Sequence, residues 1–320
     1  MTPKVSVVMN AFNGEAWIDE SIQSVLCQTF RDFELIIVDD GSSDRTWQKI
    51  NSYSDDRIRT IRQENQGIAA AANRGVEMAR SPYIARIDQD DLMMADRLQR
   101  EFDYLEANPN VALVCTYAQL IYDQMLSDDF YRAPLNSKAL ALRLVFECPI
   151  VQPSVMFRVD VFRKLGGYDG DIRIRGADDF DLWTRMAHEY NLKCLPEPLT
   201  RYRVRSNSVS QSTKSVEHNI IISAKSLHWY LKDRCSSEEC NALAVIFHRS
   251  SKPVPPFALK RALTMYDWVA ALIAGPRISW DKEICQVYAL QRRMILFHHI
   301  MRRPVFRPLV QMIPDLRLRT

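Results

Sequence analysis

Runs of apolar residues and amphipathic segments alternate through the first third of the chain. Apolar runs with the length and β-branched content of buried strands lie at residues 5–9, 33–38, 83–87 and 111–116, and a short strand is also expected at 58–62. The segments between them repeat apolar residues at helical spacing, as Ile18, Ile22 and Val25 do within 15–28. This alternation of strands and helices predicts an α/β fold with a mostly parallel sheet and helices on both faces.

The pattern changes twice further along the chain. Residues 118–210 are less regular, with a surface loop expected over 123–136, a helix over 137–146, a strand over 154–158 and a helix opening at Asp178. The last third predicts helices over 213–232 and 257–274, separated by a Pro-rich linker at 250–256. We therefore divide the chain into residues 1–117, 118–210 and 211–320.

Polar and aromatic residues cluster where the predicted strands end. Asn10 and Phe12 follow the first strand, Asp39 and Asp40 the second, and residues 88–91 the fourth. In an open α/β sheet, ligands bind beyond the carboxyl ends of the strands. These residues are therefore expected to line one crevice.

Three carboxylates, those of Asp88, Asp90 and Asp91, crowd the end of the fourth strand. Like charges this close repel one another unless a cation or hydrogen-bond donors compensate them. Oxygen ligands suit Mg²⁺ or Mn²⁺, which commonly hold a substrate's phosphates as well. The cluster thus predicts a site for a metal and a diphosphate. A polar turn is the alternative, because Asp is a favourable turn residue.

Composition narrows the class of protein only slightly. Hydrophobic residues make up 47% and charged residues 25% of 320 residues, as in ordinary globular proteins, and the net charge is +3. The seven cysteines are an odd number without metal-binding spacing, which argues against a disulfide framework. We see neither a signal-peptide pattern nor an apolar stretch long enough to span a bilayer, so a cytoplasmic location is expected.

A series of short motifs, in this order and spacing, resembles one known family. They are the segments 5–13, 24–29, 38–44, 65–67, 73–75, 88–91, 153–158 and 178–183. Over roughly residues 3–210 the chain resembles the inverting nucleotide-sugar glycosyltransferases of glycosyltransferase family 2, which have the GT-A type of fold. The resemblance implies that 1–117 is the nucleotide-sugar-binding half of a GT-A domain and 118–210 its acceptor-binding half, followed by a helical, basic region.

The resemblance also implies a donor site. Its residues would be Asn10, Phe12, Asp39, Asp40, Gly67 and Asp88. By resemblance, Asp40 accepts a hydrogen bond from the ring N–H of the base, and a site built around that donor discriminates against bases that lack it. Uracil and thymine both carry this N–H, so the choice of a UDP-sugar over a dTDP-sugar stays open. Phe12 matches an aromatic residue that packs on the base, and a Phe packed in the core is the alternative.

The metal and the catalytic base follow from the same resemblance. Asp90, with Asp88 beside the ribose, would ligate Mn²⁺ or Mg²⁺, and the ion would offset charge on the departing nucleoside diphosphate. Asp179 matches the base that takes a proton from the acceptor hydroxyl. Asp178 stands where the family more often has Glu, which leaves open which of the two carboxylates acts. Capping of the helix at Asp178 is the alternative.

The C-terminal segment 291–320 carries seven arginines against one aspartate. One interpretation is peripheral contact with the anionic inner face of the cytoplasmic membrane, where a lipid-linked acceptor would lie. A solvated helix face and a partner-binding surface are the alternatives. Nucleic-acid binding is not expected, since no recognised nucleic-acid module accompanies the charge.

We therefore predict a metal-dependent glycosyltransferase that uses a nucleoside-diphosphate sugar, with UDP-sugars favoured, and a glycan or lipid-linked glycan in surface polysaccharide synthesis. Two other functions stay open. A sugar nucleotidyltransferase would need a Gly-rich, basic phosphate loop after the first strand, which residues 10–15 do not provide. A non-catalytic nucleotide- or glycan-binding protein on the same scaffold would not need Asp88, Asp90 and Asp179 together.

Overall fold

A nine-stranded sheet forms the centre of the fold in a computed structural model that describes residues 2–122, 125–205, 215–248, 250 and 259–301. The strands are β1 Val5–Ala11, β2 Phe33–Asp39, β3 Ile58–Arg62, β4 Tyr83–Asp88, β5 Leu92–Met93, β6 Val111–Tyr122, β7 Met125–Tyr131, β8 Val155–Arg158 and β9 Asn191–Val204. Their order in the sheet is β3-β2-β1-β4-β8-β6-β9-β5, and β7 pairs with β6.

The helices cover both faces of this sheet and extend beyond it. They are α1 Ile18–Leu26, α2 Thr46–Ile50, α3 Ile68–Met78, α4 Arg97–Ala107, α5 Ser137–Arg143, α6 Val159–Lys164, α7 Asp178–Glu189, α8 Ser215–Leu231, α9 Ser237–Phe247, α10 Leu259–Ala274 and α11 Lys282–Met301. Short 3₁₀ turns lie at Gln152–Ser154, Ile172–Ile174, Lys232–Arg234 and Arg277–Ser279.

The first four strands form the parallel half of the sheet. β1 pairs in parallel with β2 and with β4, and β2 pairs in parallel with β3. Alternate residues of β1 enter opposite cores, because side chains in a strand alternate between the two faces. Val8 packs in the core that includes α3, and Val7 packs in the core that includes α1 and α4. The predicted fold class is confirmed by this arrangement.

The second half of the sheet is mixed and folds back toward the first. β8 runs antiparallel between β4 and β6, and β9 runs parallel to β6. β5 pairs with β9 through Leu92–Arg201 and Met93–Thr200. This pairing places residues 203–205, at the end of β9, next to residues 88–91, which form the acidic turn at the end of β4.

The structure differs from the sequence prediction at several elements. The surface loop expected over 123–136 is wrong for residues 125–131, which form β7 and pair with β6. Most residues of β7 are exposed, so the segment lacks the alternating pattern of a half-buried strand. The helices α6 and α9 and the long strand β9 were also absent from the prediction. Of the linker predicted at 250–256, only residue 250 lies within the described residues.

The four C-terminal helices form a third core together with α5. Phe146, which follows α5, stacks on Phe247 of α9 with ring centroids 4.1 Å apart, and Tyr266 and Ile295 belong to the same core. No helix in the described parts of the chain is long and apolar enough to cross a membrane. Residues 302–320 lie outside the described residues, so the membrane interpretation of 291–320 and the boundary at residue 211 stay predictions.

Candidate active site

The carboxyl ends of β1, β2 and β4 meet at one edge of the sheet, and the N-terminus of α7 lies near them. Asp88, the last residue of β4, and Asp178 each raise the pKa of Asp179. Residues that are far apart in the sequence are therefore brought together at this edge. The strand ends lie side by side because β1 pairs in parallel with β2 and β4, and a ligand crevice at this edge stays a prediction.

The Asp88 carboxylate lies next to the side chains of Arg86 and Gln152. Its side chain is 33% exposed, and its Oδ1 lies 3.6 Å from Nη2 of the fully buried Arg86. Gln152 Nε2 donates to the same oxygen at 3.4 Å. Burial raises the pKa of Asp88, Arg86 opposes that rise, and the neighbouring Asp90 adds to it. A further cation would therefore stabilise the ionised form of Asp88.

Asp90 faces the end of β9. Its Oδ2 lies 3.0 Å from Arg205 Nε, and the Arg205 guanidinium stacks 4.7 Å from the ring centroid of Trp17. Burial raises the pKa of Asp90, and Arg205 opposes this rise. Arg203, by contrast, is engaged by Glu20 at 3.0 Å and by the Asp90 carbonyl at 2.9 Å. Of the two arginines, Arg205 is the one placed to meet a phosphate.

The donor set at Asp88 and Asp90 suits a hard divalent cation. Both groups are carboxylates, both have pKa values raised by burial, and Asp90 raises the pKa of Asp88. No group of three or more His, Cys, Asp or Glu that could hold a metal occurs among the described residues. A cation at this pair would take its other ligands from water and substrate, as Mg²⁺ commonly does.

Asp91 has a structural position. It is buried, its Oδ1 accepts the backbone N–H of Arg203 at 2.7 Å, and its carbonyl accepts the Ser21 hydroxyl at 2.8 Å. Burial raises the pKa of Asp91 well above its usual range, and the charges of Asp90 and Asp88 add to this. The acidic turn is thus bonded to α1 and β9 through Asp91.

Asp39 and Asp40 have different surroundings at the end of β2. The Asp39 carboxylate is fully buried, accepts the Ser42 hydroxyl and lies 3.1 Å from Arg62 Nε. It thereby fixes the turn that follows the strand. Asp40 accepts three N–H groups, from Gln63 Nε2 at 2.8 Å and from the backbones of residues 66 and 67 at 2.9 and 2.8 Å. A carboxylate offers about four acceptor positions, so capacity for one more donor remains.

Gly67 begins α3 with φ at +94°, a conformation that favours glycine. Its N–H donates to Asp40, and a Cβ at this position would lie 2.8 Å from Arg175 Nη2. The guanidinium of Arg175 therefore lies over the backbone at the start of α3. Sequence analysis did not identify Arg175, which follows α3 by about a hundred residues.

The loop after β1 is bonded to the end of β4 by Gln89. The Gln89 side chain accepts the N–H of Phe12 at 2.8 Å and donates to the Phe12 carbonyl at 2.9 Å. The Phe12 side chain is 45% exposed, so it lies outside the core. Asn10 donates to the carbonyl of Ile68 at 3.1 Å and thus joins β1 to α3.

The two aspartates that open α7 are not equivalent. Asp178 is buried, and its Oδ2 accepts the N–H of Gly176 at 3.0 Å. Asp179 accepts the N–H of Phe180 at 2.7 Å. Burial, with smaller contributions from Asp178 and Asp88, raises the pKa of Asp179 to about 7. A general base is most effective with a pKa near the working pH, so the environment of Asp179 suits that role.

Arg86 is the buried charge that sequence analysis missed. It lies at 0% exposure in β4 and donates to the Val8 carbonyl at 2.9 Å and to Asn10 Oδ1 at 3.3 Å. Its signal in the sequence is an arginine within an otherwise apolar strand, two residues before Asp88 and thus on the same face. A charge at such a position needs a partner, and Asp88 is that partner.

Comparisons with known proteins show which sequences and folds this chain resembles. The sequence profile of the family described as "Glycosyl transferase family 2" matches residues 6–166. The chain is 34% identical to "Putative glycosyltransferase EpsE" of Bacillus subtilis over 226 residues, which are 68% of this chain and 78% of the relative. It is 29% identical over 250 residues to "O-antigen biosynthesis glycosyltransferase WbnJ" of Escherichia coli, covering 76% of this chain and 94% of that protein.

Two solved structures share the fold. One is S. aureus TarS 1-349 in complex with UDP-GlcNAc, with a TM-score of 0.64 at 14% identity over 97% of this chain and 92% of that one. The other is the mannosyltransferase PcManGT from Pyrobaculum calidifontis in complex with GDP-Man and Mn²⁺, with a TM-score of 0.51 at 17% identity over 98% and 84%. At these identities the likeness concerns the fold.

Proposed function

The chain belongs to glycosyltransferase family 2, and we propose that it transfers a sugar from a nucleoside-diphosphate donor to a hydroxyl of a glycan or lipid-linked glycan, with inversion at the anomeric carbon. The observation that carries this proposal is the position of Asp179, a carboxyl group with a pKa of about 7, beside Asp88 at the carboxyl edge of the sheet. Asp179 would act on the acceptor hydroxyl, and Asp88 would bind the donor.

In this proposal Asp179 takes the proton of the acceptor hydroxyl as its oxygen attacks the anomeric carbon. A single displacement by that oxygen from the face opposite the leaving group inverts the configuration. The bond to the diphosphate breaks in the same step, and the base needs hydrogen-bond reach of the hydroxyl. Asp178 and Asp179 each accept one N–H of another residue, and the pKa of about 7 favours Asp179 as the base.

The leaving diphosphate would lie at the acidic turn. Asp88 and Asp90 would hold Mn²⁺ or Mg²⁺, which when bound offsets the negative charge of the departing nucleoside diphosphate. Arg205 lies 3.0 Å from Asp90 and would pair with a phosphate oxygen, to which a guanidinium is well matched. The solved relatives with UDP-GlcNAc and with GDP-Man and Mn²⁺ support a nucleotide-sugar donor and a metal.

The base of the donor would lie between the loop after β1 and the start of α3. Asp40 has acceptor capacity for the ring N–H of uracil, and Phe12 exposes a ring at the same edge. These features support a donor whose base carries a ring N–H, as uracil and thymine do, and within that class a UDP-sugar is our favoured proposal. The relative that acts in O-antigen biosynthesis supports an acceptor in surface polysaccharide synthesis.

Hydrolysis of the donor by water tests this proposal without knowledge of the acceptor. Release of nucleoside diphosphate would be measured with Mn²⁺ and a panel of UDP-GlcNAc, UDP-glucose and GDP-mannose. Asp179→Asn and Asp90→Asn should each lower kcat by a factor on the order of 10²–10⁴, because one removes the base and the other a metal ligand.

The matched control is Asp160→Asn, which makes the same chemical change at an exposed aspartate in the first turn of α6. We expect wild-type turnover from this variant. If Asp179→Asn and Asp90→Asn also kept wild-type turnover, the assignment of the site would be wrong. Turnover of no member of the panel by the wild-type protein would favour a non-catalytic binding protein.

A further inference from the structure

Tyr168 presents a buried hydroxyl with no hydrogen bond. The residue is 3% exposed, and its Oη has no hydrogen-bond partner within the described part of the chain. Leaving a buried hydroxyl unpaired destabilises a folded protein, because the group loses its hydrogen bonds to water. Most buried polar groups in native proteins are paired, so an exception calls for an explanation.

The position of this hydroxyl is fixed by its surroundings. The Asn73 side chain donates to the Tyr168 carbonyl at 2.9 Å and accepts its N–H at 2.9 Å. The ring packs edge-on against Phe162 and Trp183, with centroids 5.6 and 6.1 Å away. The hydroxyl is therefore held in one place and cannot turn toward solvent.

The place where it is held is beside the candidate active site. The Arg86 guanidinium lies 6.0 Å from the centre of the Tyr168 ring. The charges of Asp179, Asp88 and Asp178 all act on the hydroxyl, and burial is the main reason why its pKa is raised. The group therefore remains protonated at neutral pH and is available as a hydrogen-bond donor.

The three nearby carboxylates differ in the donors they already have. Asp88 has the side chains of Arg86 and Gln152, and Asp178 accepts the N–H of Gly176. Asp179 accepts one N–H from another residue, that of Phe180, which is its neighbour in sequence. Asp178 and Asp179 thus each have room for another donor, and of these two Asp179 acts more strongly on the Tyr168 hydroxyl.

We propose that Tyr168 is a positioning residue that donates its hydroxyl to the Asp179 carboxylate when the donor is bound, and so aims that carboxylate at the attacking oxygen of an acceptor hydroxyl or of water. The inference rests on the proposed function of Asp179. This role explains why the hydroxyl is unpaired in the ligand-free protein. Its hydrogen bond forms only when substrate is bound, and it does not stabilise the ligand-free fold. Orientation of a catalytic group by a neighbouring side chain is a recurring way to raise a rate.

Tyr168→Phe removes only the oxygen and separates the two roles of the residue. The melting temperature of the ligand-free protein should stay the same or rise, because the unpaired hydroxyl is lost. In donor hydrolysis with Mn²⁺, kcat should fall by at least about tenfold with little change in KM, since Asp179 acts on the attacking oxygen and not on nucleotide binding. In an Asp179→Asn background, Tyr168→Phe should cause no further loss, because the two residues act as one unit.

Tyr266→Phe is the matched control. Tyr266 is also fully buried, but its hydroxyl donates to Gln291 Oε1 at 2.8 Å in the core formed by the C-terminal helices. Its removal should lower the melting temperature and leave kcat unchanged. Tyr168→Phe should therefore lower kcat without lowering the melting temperature, and Tyr266→Phe should lower the melting temperature without changing kcat.

Two results would overturn the inference. One is a fall in the melting temperature of ligand-free Tyr168→Phe, which would mean that the resting fold uses the hydroxyl. The other is wild-type kcat in Tyr168→Phe while Asp179→Asn is inactive, which would leave the proposed function intact. If Asp179→Asn kept full turnover, or the wild-type protein hydrolysed no donor of the panel, the proposed function and this inference would fail together.

Discussion

At the scale of single residues, the carboxyl group of Asp179 sets the expected dependence of activity on pH. Burial raises its pKa to about 7, and the charges of Asp178 and Asp88 add to that rise. A base must be ionised to act, so kcat/KM should rise roughly tenfold per pH unit below pH 7 and level off above it. The measurement is donor hydrolysis from pH 5 to 9, and a rate that is constant between pH 5 and 7 would contradict this role.

The sequence indicated the carboxylates of the site but not which side chains pair with them in the folded protein. Asp40, Asp88 and Asp179 stand at strand or helix ends, where local patterns are informative. The partners of the acidic turn come from β9, as when Arg205 meets Asp90 at 3.0 Å. Such a pairing depends on the register of β5 with β9, which no local pattern specifies.

At the scale of elements, a buried arginine that is paired within α4 joins this helix to the sheet. Arg97 and Glu101 are both fully buried and lie 3.1 Å apart. Arg97 also donates to the carbonyls of Arg86, Val155 and Pro153, and so joins α4 to β4 and β8. The pair therefore supports the strand that ends in Asp88.

Arg97→Met should lower the free energy of unfolding by about 3–5 kcal/mol at pH 8, because it leaves Glu101 buried without a partner. Burial already raises the pKa of Glu101 to about 7, and loss of Arg97 would raise it further. The folded variant then binds a proton that the unfolded chain releases above about pH 4.3, so its stability falls as pH rises. Urea unfolding at pH 5.5 and 8 should show the smaller loss at pH 5.5.

Arg100→Met is the control for this prediction, since Arg100 lies in the same helix and pairs with Glu197 at the surface. Exposed pairs contribute about 0–1 kcal/mol, so a loss in that range is expected at either pH. Equal losses from Arg97→Met and Arg100→Met would contradict the structural role of the buried pair.

The elements that could be predicted were those with a strong hydrophobic pattern. β1, β2 and β4 are mostly apolar, and their parallel pairing follows from the helices between them. β7 is mostly exposed, and its stability comes from pairing with β6, which the sequence of residues 125–131 does not reveal. Strand formation there depends on a neighbour and not on local preference.

At the scale of the whole molecule, the helical C-terminal region is packed against the transferase fold. α5 contributes Ala139 and Leu142 to the same core as Leu227, Leu243 and Tyr266. Helix α5 also packs near α7, whose N-terminus carries Asp179: Thr184 of α7 donates to the Leu144 carbonyl at 3.2 Å. The C-terminal region also contacts α7 directly, since the His188 ring of α7 lies 3.1 Å from the Ser226 hydroxyl of α8.

The central claim is that the crevice binds a nucleoside-diphosphate sugar together with a divalent cation. Its most direct test is thermal unfolding with UDP-GlcNAc, UDP-glucose or GDP-mannose, each with and without Mn²⁺, in the wild-type protein, Asp90→Asn and Asp160→Asn. A ligand at about a hundred times its Kd stabilises the fold by about 2.7 kcal/mol, which corresponds to a rise in Tm of roughly 4 °C for a chain of this size.

We predict that at least one donor raises the Tm of the wild-type protein and of Asp160→Asn by this amount when Mn²⁺ is present. The rise should be much smaller without Mn²⁺ and in Asp90→Asn. A Tm that no donor changes, or a full rise in Asp90→Asn, would contradict the claim.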